Sequence, residues 1–260
     1  MPDVSSDKQD VHEFLLSLVN LDEVRSVLDI GCGKGHDLKA IGERLGPEAR
    51  LVGVDSSPKA LDAAQELIAD DPRFAVLAHD VSTGLPFENA TFDLVWSVNL
   101  LECVTDKDAL IREIHRALRP GGQVMFAHWD WDSQLIDGED KDLVRRIVHA
   151  FGDWKQAWMT DCDSWMGRRL WRVFNRSGLF TGGVHAYVIT DTEFAPGRIG
   201  YERVKDFEAL VRRDLISRED YERFYRDVES LAENGEYFFS TTMYAYVGNV
   251  AAGFTPATQP

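Results

Sequence analysis

The sequence predicts a doubly wound α/β fold, and three observations carry that prediction. Short apolar runs of strand type alternate with helical stretches of about 10 to 15 residues along the first half of the chain. The first run closes on a cluster of glycines, and acidic residues stand at or just after the ends of the first three. Such alternation implies right-handed β-α-β crossovers and a mostly parallel sheet covered on both faces.

Taken in order, Val11, Phe14, Leu15, Leu18 and Val19 recur at helical spacing and predict a short amphipathic helix from Asp10 to Asn20. Ser26 to Ile30 is the first strand, and a helix from His36 to Leu45 follows the glycines. Arg50 to Asp55 is the second strand, and Pro58 suits the first position of a helix that runs to Asp70. Arg73 to Ala78 and Phe92 to Val98 supply strands three and four. A helix from Asp106 to Leu118 is broken by Pro120-Gly121-Gly122, and Gln123 to His128 is strand five.

Beyond His128 the alternation lapses for about 35 residues. It resumes with a helix from Ser164 to Ser177, for which Gly178 is the C-cap. Val184 to Asp191 is a sixth strand, and two charged helices span Arg198 to Asp214 and Arg218 to Glu233. Tyr237 to Val247 is a seventh strand, after which no helix of useful length is expected. Strands six and seven, if adjacent, place an antiparallel edge strand on a seven-stranded sheet.

Composition narrows the function. The chain has 260 residues, 44% of them apolar, enough for a substantial core. Lys and Arg number 28 against 44 Asp and Glu, a net charge of −16 that repels phosphate backbones and anionic lipid surfaces. Neither nucleic acid nor a membrane is expected as partner, and no apolar run approaches the roughly 18 residues of a spanning helix. The polar, acidic start from Met1 to Asp10 lacks the features of a secretory signal, so a cytoplasmic location is expected. Cys32, Cys103 and Cys162 are odd in number and widely spaced, and suggest neither a disulfide framework nor a metal site.

The segment that carries chemistry is Val27-Leu28-Asp29-Ile30-Gly31-Cys32-Gly33-Lys34-Gly35. Glycines admit a ligand close to the backbone, and the amides of the following helix bind a polar or anionic group. Asp29 is the unusual member: a carboxylate there opposes a pyrophosphate and suits a ligand with an amino group or positive centre. Asp55 ends strand two, 20 residues beyond Gly35 and followed by Ser56, where nucleotide sites hydrogen-bond ribose hydroxyls. Asp80, after strand three, is placed to accept from an exocyclic amine while Val81 packs on a ring.

At these residues the sequence resembles the class I S-adenosylmethionine-dependent methyltransferases, in particular the small-molecule branch that includes quinone-biosynthesis enzymes. The resemblance runs from Val27 to Ala127, through the D-x-G-x-G-x-G loop, the acidic end of strand two, the Asp after strand three and Leu118-Arg119-Pro120-Gly121-Gly122. It implies S-adenosylmethionine as cofactor. Gly31, Cys32 and Gly33 would line its methionine part, with Asp29 toward its amino group. Asp55 and Ser56 would meet the ribose, and Asp80 and Val81 the adenine. Asn99, in Ser97-Val98-Asn99-Leu100-Leu101-Glu102-Cys103-Val104, would lie against the sulfonium; many relatives carry His where Cys103 stands.

The resemblance also implies a single methyltransferase domain over 1–260, with a helical cap at 1–22, an acceptor-side insertion at 129–163 and a helical lid at 195–235. His128 and Asp130 follow strand five, where the acceptor must sit, and are the candidate bases. Six of the seven tryptophans fall between positions 129 and 171, interleaved with aspartates, a mixture that suits an amine or flat aromatic acceptor. Trp129, Trp131, Trp158 and Arg169 are the candidate acceptor contacts. No metal is required, because a sulfonium methyl is already electrophilic. The expected protein is a monomer or homodimer that methylates a small molecule, with an amine slightly favoured over a hydroxyl. Two other readings are a non-catalytic S-adenosylmethionine sensor and an NAD(P)-dependent oxidoreductase, whose loop is usually G-x-G-x-x-G.

Overall fold

A computed structural model describes residues 6–251. It contains α1 (Ser6–Ser17), β1 (Ser26–Ile30), α2 (His36–Gly42), β2 (Arg50–Asp55), α3 (Pro58–Ile68), β3 (Phe74–Ala78), β4 (Phe92–Val98) and α4 (Lys107–Ala117). Then follow β5 (Leu118–Ile136), α5 (Lys141–Gly152), α6 (Met166–Ser177), β6 (Phe180–Asp191), α7 (Ile199–Asp206), α8 (Glu208–Val211), α9 (Arg218–Glu233) and β7 (Phe239–Val250). The cap expected at 1–22 is met by α1 from residue 6; residues 1–5 of it, and the stretch after 251 where no helix was expected, lie outside the described residues. No described helix is long and apolar enough to cross a membrane.

All seven strands join one sheet in the order β3-β2-β1-β4-β5-β7-β6. β1 pairs in parallel with β2 and β4, β2 with β3, and β4 with β5. β7 runs antiparallel to both β5 and β6, so β6 and β7 are adjacent as expected and β6 forms the edge. The strand order reverses between β1 and β4. In open α/β sheets the crevice beyond the carboxyl ends at that reversal is where ligands bind.

The two faces of the sheet bury separate apolar layers. Val11 and Leu15 of α1, Leu38 and Ile41 of α2, and Ile147 of α5 share one layer with Met125 and Ala127 of β5. Ile111 and Ile114 of α4 and Leu170 and Phe174 of α6 share the other with Leu28 and Ile30 of β1. Tyr246 stacks on Phe174 with ring centres 4.3 Å apart, which places the aromatic residues of β7 in the core. The segment read as a lid is also core: Val204, Phe207, Leu210, Phe224 and Val228 of α7 to α9 are buried beside β5 and β7.

The largest departure from the sequence reading follows His128. Strand five does not stop there but continues to Ile136, with a register shift between Asp130 and Leu135. The stretch where the alternation lapses then holds α5, capped by Asp140, whose carboxylate accepts from the amides of Asp142 and Leu143. Leu143, Val144, Ile147 and Val148 fall on one buried face at helical spacing, a signal that was present in the sequence. β5 also begins directly after α4, at Leu118, so Pro120-Gly121-Gly122 lies inside a strand irregularity with Gly121 at φ +79°.

α6 lies close on β5. A Cβ on Gly167 would stand 3.0 Å from both the His128 carbonyl oxygen and the Asp130 backbone nitrogen. Gly167→Ala should therefore lower stability by about 1 kcal/mol or more, against the helical preference for alanine, because backbone must move to admit the methyl. Urea unfolding checks the sign.

Candidate functional site

The loop after β1 is shaped by three glycines in left-handed backbone, Gly31 (φ +74°), Gly33 (φ +52°) and Gly35 (φ +78°). At Gly31 a side chain would press on Leu100, whereas the space above Gly33 is open to at least 4 Å. The amides of Gly31 and Cys32 both donate to the Val54 carbonyl at 2.8 and 3.0 Å, which ties the loop to the end of β2. Asp55 completes the tie: its Oδ2 accepts from the Gly33 amide at 2.9 Å and its Oδ1 from the Ser57 amide at 2.8 Å. Asp55 thus shapes the loop as well as facing the crevice, and Ser56 sits beside it in the turn into α3.

Asp29 is 1% exposed, and its Oδ2 has no hydrogen-bond partner. Burial, reinforced by the charges of Asp37 and Asp55, pushes its carboxyl well above the ordinary range. Among the described residues no positive side chain pairs with Asp29; His12, on α1, lies 2.8 Å from Asp37. Burial, with the charges of Asp29 and Asp55, raises the Cys32 thiol as well, and its sulfur packs where a Gly53 side chain would stand.

The remaining cofactor candidates lie along the same rim. Asp80 caps the turn after β3, its Oδ1 accepting from the Ser82 amide, and that bond holds its carboxyl below the ordinary value. Val81 packs against the core layer of β1 and β4. Asn99 ends β4 at φ +58°, a region costly for most residues that Asn tolerates. Its amide donates to Ala127 and its Oδ1 accepts from the Trp129 amide at 3.1 Å, locking the exits of β4 and β5 together.

On the acceptor side several expectations need correction. Asp130 is wholly buried, and Arg168 grips both of its oxygens through Nε and Nη2. A carboxylate so occupied is a structural ion pair, not a base. Arg169 pairs with Asp163 and lies over the Trp165 ring, so it is tied into the acidic loop. Trp158 is 66% exposed on the surface and donates to Gln156. Trp129 is buried in the core layer. Trp131 lies at the site, but one of its faces is taken: the Arg203 guanidinium sits 4.9 Å from its ring centre and 4.6 Å from that of Phe151.

His128 is where the sequence reading and the geometry meet. The ring is wholly buried, Nδ1 lies 2.9 Å from the Trp129 carbonyl oxygen, and Nε2 has no hydrogen-bond partner. A carbonyl can only accept, so Nδ1 carries a hydrogen and Nε2 holds the lone pair of the neutral ring. Burial depresses the imidazole's proton affinity, and the nearby Glu102 charge opposes that depression. Glu102, 3.8 Å from Nε2, was not among the residues singled out from the sequence. The apolar look of Leu100-Leu101-Glu102-Cys103-Val104 gave it no motif, and it turns inward on a short helical turn, 4% exposed.

A cavity of about 450 Å³, lined in part by Asp22, Arg25 and Ala49, lies at the amino ends of β1 and β2, away from this rim. The candidate chemistry is therefore defined by the strand ends rather than by that hollow.

An orphaned buried carboxylate, an open glycine loop and an acid at the next strand end match the requirements of an aminoacyl sulfonium nucleoside. The family comparison agrees: residues 27–122 match the model described as a methyltransferase domain. Over those residues the chain is similar to methyltransferases, in line with the resemblance. A trans-aconitate 2-methyltransferase from Azoarcus sp. (strain BH72) is 36% identical over 140 residues, 54% of this chain and 50% of that protein. The chloroplastic tocopherol O-methyltransferase of Arabidopsis thaliana is 31% identical over 149 residues, 54% of this chain and 41% of that protein. This chain thus spans half or less of the length of those relatives. In structure, the Haemonchus contortus phosphoethanolamine N-methyltransferase 2, in complex with S-adenosyl-L-methionine, superposes with a TM-score of 0.54 at 19% identity, over 92% of this chain and 52% of that one.

Two outcomes follow. Asp29→Asn should raise the melting temperature at pH 8 by about 2–4 °C for each kcal/mol gained, with little change near pH 4. The folded carboxyl has the higher pKa, so its ionisation costs stability only as pH rises past the unfolded value, and asparagine avoids that cost. Arg168→Met should cost about 3 kcal/mol or more in denaturant unfolding, because Asp130 is left buried without its cation.

Proposed function

We propose that this protein transfers the S-adenosylmethionine methyl group to a small-molecule amine. The observation that carries the cofactor side is the unpartnered Oδ2 of buried Asp29 beside the open loop at Gly33. A desolvated carboxylate without a cation is an unstable arrangement unless a ligand supplies the charge, and the cofactor's ammonium does so. Gly31, Cys32 and Gly33 would line the methionine portion, Asp55 and Ser56 the ribose, Asp80 and Val81 the adenine, and Asn99 the sulfonium side. When bound, the cofactor supplies an electrophilic methyl group that needs no further activation.

The protein's own task is to hold a nucleophile at about 3 Å, to exclude water and to receive a proton. His128, dry and with its lone pair on Nε2, is built to hold that proton. The amine is favoured over a hydroxyl by sign of charge: the acceptor side presents Glu102, whose side-chain neighbours among the described residues are the His128 imidazole and the Trp131 indole rather than a lysine or arginine. The net charge of −16 keeps polyanionic acceptors such as nucleic acid out of the reading. Because the chain spans only part of its relatives, the acceptor, the cytoplasmic location and the monomeric or dimeric state are parts of this proposal.

Calorimetric titration of S-adenosylmethionine and of S-adenosylhomocysteine into the purified chain tests it. Both should bind, and Asp55→Ala should weaken each by at least tenfold through loss of both the ribose contact and the Gly33 tether; absence of heat with the parent chain sinks the cofactor assignment. His128→Ala should bind normally yet transfer label poorly from methyl-labelled cofactor. Binding without transfer to any amine or phenol would favour the sensor reading instead.

A further inference from the structure

On the acceptor side, one cluster joins Glu102, His128 and Trp131. Glu102 Oε2 accepts from the Trp131 indole nitrogen at 2.6 Å and stands 3.8 Å from His128 Nε2, while Oε1 has no hydrogen-bond partner among the described residues. His128 Nδ1 is spent on the Trp129 carbonyl, and the Trp129 amide is spent on Asn99. Every bond in this chain fixes an orientation, and the two atoms it leaves facing each other are both acceptors when the histidine is neutral and the glutamate ionised. Two buried acceptors at that separation are stable only if they share a proton or a donor between them.

We propose that Glu102 and His128 act as one proton-accepting pair, in which Glu102 Oε1 receives the N–H of an amine acceptor and His128, buried behind it, stores the charge. This deepens the methyltransferase reading and rests on it. In the step, the acceptor nitrogen's lone pair forms the N–C bond and the C–S bond breaks with its electrons kept on sulfur. The proton released from nitrogen passes to Glu102 Oε1, and the pair ends with one proton more. Glu102 is the member that touches the acceptor. His128 is a positioning residue that works through it, and Trp131 holds the carboxylate in place.

The surroundings suit this use. Asp130 and Asp163 face His128, and both are already paired, with Arg168 and Arg169. Cys103 and Cys162 face Glu102, and burial pushes their thiols up to about 12 and about 11, so both stay neutral near pH 7. Lys107, the nearest lysine to that loop, is bound to the Val104 carbonyl and to Asp161.

The test uses the whole chain, ring-¹⁵N-labelled at its seven histidines, with S-adenosylhomocysteine present. In the parent, His128 should show a protonated Nδ1 and an Nε2 that titrates; in Glu102→Gln its proton affinity should fall at least tenfold, because the stabilising carboxylate is gone. A His128 titration unchanged within twofold overturns the pairing. Transfer of labelled methyl to a panel of primary and secondary amines gives the second reading. Glu102→Gln should lose at least a hundredfold in kcat with cofactor KM unchanged, and the acid limb of the pH profile should move to lower pH. Glu102→Asp should recover part of the rate. Undiminished kcat in Glu102→Gln overturns the proposal. Failure of the parent chain to bind S-adenosylhomocysteine refutes the underlying methyltransferase reading, whereas binding with no amine accepted overturns the role proposed for the pair and leaves the cofactor assignment standing.

Discussion

A carboxylate taken out of water at the end of β1, with no cation of the protein to meet it, is the constraint on which the site depends. Asp29 is sealed between β2 and β4, and its neighbours Asp37 and Asp55 make its ionised form costlier still. A fold selected only for stability would place an apolar residue there, as it does at Leu28 and Ile30 on either side. The unmet charge becomes useful when the ligand is itself positive, and it does so at the reversal of strand order, where two neighbouring loops diverge and leave a crevice. The glycine loop supplies access and Asp55 supplies rigidity, since one carboxylate fastens the loop to the turn that starts α3.

A second unmet charge stands on the other side of the crevice. Glu102 has an indole and an imidazole for neighbours, and neither neutralises it when the imidazole is unprotonated. The two acids differ in their surroundings. Asp29 faces an open loop with an unpartnered oxygen, which suits binding of a permanent charge. Glu102 faces a base, which suits movement of a proton. Asp130, two residues from His128 on the same strand, shows the third possibility: an acid whose charge is fully answered by Arg168 and which is thereby withdrawn from chemistry.

The sheet and the cofactor rim were legible in the sequence because they rest on local rules. Strand runs alternate with amphipathic helices, and the D-x-G-x-G-x-G loop, Asp55 and Asp80 stand at fixed offsets from strands that must be neighbours. The acceptor side was less legible because its geometry depends on contacts far apart in the chain. Whether Asp130 or Arg169 is free depends on Arg168 and Asp163, and nothing in residues 128–132 records that Arg168 will reach back across α6. Glu102 was hidden in an apolar stretch because its partners come from β5. The extension of β5 was missed for a different reason: Asp130, Asp132 and Ser133 read as loop, yet β7 pairs with the strand as far as Ile136 around the register shift. Helix α5, by contrast, carried its periodicity and its Asp140 cap in plain view.

The tryptophan-rich stretch shows how an internal partner changes what a side chain does. In isolation Trp131 reads as a face for an acceptor's positive charge. In the fold that face is covered by Arg203 of α7, which lies between Trp131 and Phe151, while Phe151 packs in turn on Phe207. Burial works against the guanidinium's charge, and its carboxylate partner Asp206 is mostly exposed, so the aromatic faces provide much of what holds it. The edge of the same indole remains, and its N–H fixes Glu102. Helix α7 is coupled to the same point, because displacing Arg203 frees the indole that orients Glu102. The helices after β6 thereby reach Glu102 through one tryptophan, whose face they cover and whose N–H holds the carboxylate.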